Sequence, residues 1–156
     1  MNDDRRKVLK GTGGMAVMGL AVSAGLFKPG SAWAQTWNKA AFETKSMADT
    51  VKAMGGSSAA ESKDIVITSP DIAENGAVVP FTISSRLAKT ESIALLVEKN
   101  PNVLAASFNI PAGTEAGVTT RVKMGQTSNV TALVKADGKF YYTTKEVKVT
   151  LGGCGG

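Results

Sequence analysis

The feature that most constrains the fold is a series of seven short segments, rich in β-branched residues and separated by turn signals. They occupy residues 64–69, 77–85, 92–99, 103–110, 118–124, 129–136 and 139–150. Apolar residues alternate within them, as at Ile93, Leu95 and Val97, and this period of two is typical of strands. No helical pattern separates the strands, so parallel strand–helix–strand units are not expected. The pattern predicts a mainly β protein, an antiparallel β-sandwich.

Two local signals refine this prediction. Asp137 and Gly138 stand alone between the last two strands, and both residue types tolerate the positive φ of a type I′ hairpin turn. Pro80 lies inside a predicted strand, and it indicates an edge or a bulge because proline cannot donate to a strand ladder.

One amphipathic helix is predicted ahead of the strands. Residues 37–54 carry apolar side chains at a period near 3.6, namely Trp37, Ala41, Ala48, Val51 and Met54. Gly55 and Gly56 then predict a left-handed C-cap, followed by a polar link over residues 55–63. We expect the apolar face of this helix to pack on its own sandwich. Covering an open end of the domain is the alternative.

The first 34 residues have the pattern of an export signal. Arg5 and Arg6 precede an apolar run over residues 11–27, which five glycines dilute and which is shorter than the roughly 20 residues of a spanning helix. Paired arginines before such a run indicate a twin-arginine signal; a Sec signal is the alternative. We expect cleavage before Gln35, no membrane anchor and a periplasmic location.

The predicted organisation therefore has four parts. They are a cleaved signal over residues 1–34, a helix and linker over 35–63, a sandwich over 64–151, and a carrier arm over 152–156. Five of the 18 basic and two of the 13 acidic residues lie in the signal. The rest of the chain is nearly neutral, so no nucleic-acid partner is expected.

Histidine is absent and cysteine occurs once. These counts exclude a zinc site of the usual cysteine and histidine composition, the Ser-His-Asp and Cys-His arrangements, and haem attached through Cys-x-x-Cys-His. We expect no catalytic residue, no metal ligand and no cofactor. A lone cysteine cannot form an internal disulfide, so Cys154 is expected to react with something outside the chain.

The chain ends by placing that cysteine among four glycines. Leu151 is followed by Gly152, Gly153, Cys154, Gly155 and Gly156. Glycine loses the most conformational entropy on ordering, so the sequence predicts a flexible, solvated C-terminal arm. Such an arm suits the delivery of a covalently attached group into narrow active sites of other proteins. No neighbouring side chain would activate the thiol, so activation is expected from a partner.

Sulfur is the favoured cargo, because an exported thiol without histidine or ATP supports mixed-disulfide, persulfide and thiosulfonate chemistry. Three alternatives stay open from the residues alone. The protein could be a structural or adhesion module that uses Cys154 for disulfide cross-linking into a dimer. It could be a carrier that activates its terminal carboxylate, although the export signal disfavours this. The tail could also be without function.

Four further stretches, together with the terminal pentapeptide, resemble the SoxY family, the sulfur carriers of the periplasmic Sox sulfur-oxidation system. They are PDIAENGAVVPF (70–81), VEKNPNVLAASF (97–108), TRVKMGQTSNVTALVKADGKFY (120–141) and KEVKVTLGGCGG (145–156). The resemblance implies an immunoglobulin-like fold and a non-catalytic carrier that holds thiosulfate-derived or sulfane sulfur on Cys154. It also implies a heterodimer with SoxZ and transient contacts with SoxAX, SoxB and SoxCD.

The sequence does not choose the partner surfaces. An unpaired sheet edge is one hypothesis for the SoxZ interface. Asp71, Glu74, Asn75 and Gly76 are interpreted first as a turn, and residues 123–128 as a solvated loop, with partner recognition as the alternative for both.

Overall fold

A computed structural model of the chain describes residues 38–151, which form two short helices followed by nine strands. The helices are α1 (Lys39–Phe42) and α2 (Met47–Ala53). The strands are β1 (Ala59–Glu61), β2 (Ile65–Thr68), β3 (Ile72–Ala73), β4 (Val79–Ser85), β5 (Thr90–Val97), β6 (Leu104–Asn109), β7 (Gly117–Val122), β8 (Ser128–Ala136) and β9 (Lys139–Val149). The predicted signal over residues 1–34 and the predicted arm over 152–156 lie outside the described residues.

The strands form two sheets. The larger sheet has the order β1-β9-β8-β5-β6, with β3 also paired to β9, and the smaller has the order β2-β4-β7. All pairings among β2 and β4 to β9 are antiparallel. The prediction of a mainly β, immunoglobulin-like antiparallel sandwich is confirmed, and each of the seven predicted strands is present.

Two short strands, β1 and β3, were not predicted. Both pair with β9 in the parallel direction. They have three and two residues, too few to show an alternating pattern, and β1 falls within the predicted polar link. Their extended conformation follows from their position beside β9, which is a tertiary effect.

The main core lies between the two sheets. Its fully buried members include Phe81 and Ile83 from β4 and Ile93, Leu95 and Val97 from β5. The alternation predicted for β5 is confirmed. The β5 residues between Ile93, Leu95 and Val97 are buried as well, because the helices cover the other face of the larger sheet.

A second core lies between the helices and the outer face of the larger sheet. Its buried residues are Ala41, Val51, Ala94, Leu96, Val103, Leu104, Leu133 and Phe140. The expectation that the helical segment packs on its own sandwich is confirmed. Burial of this apolar surface is what stabilises such short helices, since they are too short to be stable alone.

The predicted single helix is divided in two. Helix α1 ends at Phe42, and Ser46 starts α2 as its N-cap, with Oγ accepting from the Asp49 N–H at 3.1 Å. The break at residues 43–46 contains Thr44, whose buried hydroxyl donates to the Ala41 carbonyl at 2.7 Å. Serine and threonine form such local side-chain bonds in competition with the helix, which explains why it stops there.

The local turn predictions are confirmed. Gly55 has φ +86° and the Gly56 N–H donates to the Val51 carbonyl at 2.8 Å, which is the pattern of a Schellman C-cap. Asp137 and Gly138 have φ of +48° and +73°, as a type I′ turn requires.

Pro80 lies in β4, the central strand of the smaller sheet, rather than in an edge strand. It pairs with Arg121 of β7 on one side. On the other side, the pairing of β2 with β4 ends at Thr82. The smaller sheet is therefore two-stranded at Pro80, where proline is tolerated as it is at an edge.

Candidate functional site

The candidate site is the end of the sandwich from which the predicted carrier arm leaves. Strand β9 ends at Val149, and Thr150 and Leu151 lead to the arm. The predicted attachment residue Cys154, like the flanking Gly152, Gly153, Gly155 and Gly156, lies outside the described residues. What the structure describes is therefore the root of the arm, meaning Thr150 and Leu151, and the surface around it.

The root is held on one side by the segment that contains β3. The Thr150 N–H donates to the Ala73 carbonyl at 3.1 Å, and the Thr150 hydroxyl donates to the Glu74 carbonyl at 3.1 Å. The Gly76 N–H donates to the Leu151 carbonyl at 2.7 Å. These three bonds continue the parallel pairing of β3 with β9 to the last described residue.

On its other side the end of β9 is held by a side chain. Strand β8 starts only at Ser128, so Val149 lies beyond the β8–β9 ladder. The Thr127 hydroxyl bonds there instead, accepting from the Val149 N–H at 2.9 Å and lying 3.5 Å from the Val149 carbonyl. The arm therefore starts from a backbone that is fixed on both sides.

The two segments for which the sequence left a choice between turn and recognition surface meet at this root. The Met124 N–H donates to the Gly76 carbonyl at 2.7 Å, and the Met124 side chain is fully buried. Asn100 bridges to the same loop, donating to the Lys123 carbonyl at 2.8 Å and accepting from the Gly125 N–H at 3.3 Å. Residues 71–76 and 123–128 are therefore joined by a hydrogen bond, and the prediction of a solvated loop over 123–128 is wrong for Met124 and Ser128, which are buried.

Apolar side chains are exposed around the root. Four large hydrophobic residues are exposed in the part of the chain that the structure describes: Val66 (40%), Ile72 (56%), Val78 (56%) and Leu151 (64%). Ile72 lies in β3, Val78 lies two residues after Gly76, and Leu151 is the last residue of the root. Only Val66, on β2, lies elsewhere.

An ion pair attaches the segment before β3 to β9. The Lys145 ammonium lies 2.9 Å from Asp71 Oδ1 and donates to the Ser69 carbonyl at 2.7 Å. The hydrogen bond from Lys145, and secondarily its charge, hold the pKa of the Asp71 carboxyl below its ordinary value.

We expect acid to loosen the attachment of β3. Because the folded-state pKa of Asp71 is lowered, the stabilisation is fully present above the ordinary value of 3.8 and is lost as the pH falls through the lower folded pKa. Hydrogen-exchange protection of the Lys148 and Thr150 amides, which donate to Asp71 and Ala73 carbonyls, should decrease in that range relative to the β5 amides.

The Asp71→Asn variant is the control for this pH effect, and the protection of its Lys148 and Thr150 amides should not change over this pH range. A decrease in the variant equal to that in the wild type would contradict the role assigned to the Asp71 carboxylate.

A groove of about 310 Å³ lies elsewhere, between α2 and the outer face of the larger sheet. Both of its charged side chains already have partners. Lys45 donates to the Asn102 side chain at 2.7 Å, and Glu98 accepts from the Asn129 side chain at 2.9 Å. This lining shows no group poised for catalysis.

Metal-binding clusters and membrane-spanning helices are both missing from residues 38–151. These residues contain no cluster of three or more acidic, histidine or cysteine side chains that could hold a metal ion. None of their helices is long and apolar enough to cross a bilayer.

Sequence reasoning predicted the arm but did not predict how its root is held. The decisive groups are the hydroxyls of Thr127 and Thr150 and the backbone of Gly76. The only available signal was that residues 71–76 and 123–128 are turn-like, and it did not show that they meet.

Comparison with known proteins identifies a matching family and a similar solved structure. The family model described as sulfur oxidation protein SoxY matches residues 51–154. The solved structure of the sulfur carrier protein SoxY from Chlorobium limicola f thiosulfatophilum is 36% identical, with a TM-score of 0.60, and the match covers 66% of this chain and 94% of that one.

A second similar structure is more distant. A superoxide reductase (neelaredoxin) from Ignicoccus hospitalis is 20% identical with a TM-score of 0.48, over 55% of this chain and 79% of that one. This similarity is too low to imply a shared function. A comparison with curated protein sequences gave no match.

Proposed function

The chain belongs to the SoxY family of sulfur oxidation proteins, and on that premise we propose that it carries sulfur intermediates covalently on Cys154. Family membership and the match to a sulfur carrier protein support a carrier role in sulfur oxidation. The identity of the attachment residue, the cargo and the partners are parts of the proposal.

One observation carries the assignment to Cys154. The family match extends through the root of the arm and ends at this residue, which is the only cysteine of the chain. The fixed root supports the assignment, because an arm that starts from a rigid point delivers its terminal atom into a defined volume.

The proposed loading step is an oxidation. The Cys154 thiol loses its proton, its sulfur forms one S–S bond with the outer sulfur of thiosulfate, and two electrons leave. An oxidant must accept these electrons, and in the proposed system this is the haem protein SoxAX. SoxB then hydrolyses the terminal sulfonate to sulfate. Where SoxCD is present, it oxidises the sulfane sulfur that remains.

In this scheme the protein itself catalyses nothing. The chain has no histidine to act as a base, so the partners supply the activation of the thiol and of water. The proposed location is the periplasm, to which the predicted signal over residues 1–34 would direct the chain.

The stable partner in the proposal is SoxZ, and one side of the sandwich suits a partner that adds a strand. Strands β6 and β7 are the last strands of their sheets and lie next to each other. Neither contains a proline, β6 has no charged residue, and Arg121 is the charged residue of β7. Sheet edges that stay exposed normally carry proline or charged residues, which prevent pairing with another strand. Because β6 and β7 largely lack them, we propose this side as the SoxZ interface.

Mass spectrometry of the intact protein tests the function. The chain, purified with SoxZ, is incubated with thiosulfate and SoxAX and measured before and after a reductant. The expected result is an added mass of one thiosulfate-derived group, located on Cys154 by peptide mapping and removed by the reductant. The absence of any reducible adduct would overturn the proposal.

The same experiment distinguishes a cross-linking module. Such a module, using Cys154 only for disulfide bonds between chains, would give a dimer on non-reducing gels and no small adduct. A dimer that disappears when thiosulfate is loaded would instead be a resting form of the carrier.

A further inference from the structure

The short length of the arm limits how far Cys154 can extend from the sandwich. Cys154 is three residues beyond Leu151, which gives about 10 Å of extended chain at roughly 3.3 Å per residue. Active sites lie in clefts below the protein surface. Any partner that receives Cys154 in such a cleft must therefore bring the rim of the cleft close to Leu151.

The surface that would meet this rim is unusually apolar for this domain. Ile72, Val78 and Leu151, which we call the collar, are more than half exposed. Within residues 38–151, Val66 is the one other large apolar residue that is exposed. The segments that carry these three residues are hydrogen-bonded to one another at the root, and exposed apolar residues on adjoining segments are typical of a surface that another protein covers.

The collar stands on a rigid base. Ile72 pairs with Lys148 in the β3–β9 ladder, and Gly76, two residues before Val78, bonds both Leu151 and Met124. A surface that is already ordered loses little conformational entropy when a partner binds. This suits brief encounters with several partners.

Exposed charges of both signs flank the collar. Lys123 and Lys148 are exposed, and so are Glu74 and Glu146. None of the four forms an ion pair within the described part of the chain. The apolar side chains, rather than a charge of one sign, therefore distinguish this surface.

We propose that the collar is the docking surface shared by the partner proteins that load and unload Cys154. Its occupant is the apolar rim of a partner's active-site cleft, which the short reach from Leu151 to Cys154 brings against the collar. This inference rests on the proposed carrier function and adds the surface by which the carrier is recognised.

The test is the Ile72→Ser, Val78→Ser double variant, with Val66→Ser as the matched control for loss of exposed apolar surface. Leu151 is kept because it adjoins the arm. Loading and unloading of Cys154 are measured against carrier concentration. For the double variant we expect the KM of both reactions to rise about tenfold with kcat unchanged. Docking contacts are equally strong in the ground state and in the transition state, so their loss weakens binding but does not slow the chemical step.

Two further measurements complete the design. Alkylation of Cys154 by a small maleimide and the midpoint of thermal unfolding should match the wild type, which excludes altered thiol exposure or misfolding.

The outcomes separate the two proposals. If the wild type loads and the double variant has the KM of Val66→Ser, the collar is not the docking surface and the carrier function stands. If the wild type itself accepts no cargo, the carrier function fails, and the collar proposal fails with it.

Discussion

Replacing Cys154 by serine is expected to abolish cargo loading completely. A serine hydroxyl cannot form the S–S bond of the proposed adduct, and the chain has no second cysteine to substitute for it. Intact mass spectrometry after incubation with thiosulfate and the oxidising partner should show no added mass. Residue 154 lies beyond β9, which ends at Val149, so the unfolding midpoint and SoxZ binding should not change.

A reducible adduct on Cys154→Ser would contradict the proposal directly. Deleting Gly155 and Gly156 is the matched test of the terminus. A thiol carrier should still accept cargo after this deletion, whereas a carrier that activates its terminal carboxylate would lose all loading.

Replacing Gly56 by alanine is expected to destabilise the fold by about 3 kcal/mol, at the upper end of the usual cost of overpacking. A Cβ at this position would lie 2.5 Å from Phe140 Cδ2 and 2.8 Å from Val51 Cγ1. Both side chains are buried in the core between the helices and the larger sheet, so neither can move aside freely. The midpoint of denaturant unfolding reports the change.

Gly117→Ala is the control for the general effect of replacing glycine. Its added Cβ would approach nothing closer than the Ile83 carbonyl at 3.8 Å, and we expect a change within about 0.5 kcal/mol. A similarly small effect for Gly56→Ala would show that the helices do not pack on the sheet as closely as described.

The strands of the sandwich were predictable because their signals are local. Alternation in β5 and the turn residues Asp137 and Gly138 act within a few positions along the chain. The break between α1 and α2 also had a local signal that was missed. Ser46 and Asp49 have capping spacing and bond each other at 2.7 Å, but the apolar period across residues 37–54 continues through this signal and hides it.

Strands β1 and β3 had no comparable signal. Ile72 and Ala73 are extended because β9 lies beside them, and their partners Lys148 and Val149 are far away in sequence. A two-residue strand has no period to detect, so only the assembled sandwich defines it.

The sequence by itself determined the chemistry available to this protein: a single thiol among glycines, no histidine, and strands whose period demands a sandwich. These follow from residue identity and short-range spacing. Only the tertiary structure decided what surrounds the start of the arm. Gly76, Met124 and Leu151 become neighbours through backbone hydrogen bonds, and residue types do not encode the partners of such bonds, because every peptide group offers the same donor and acceptor.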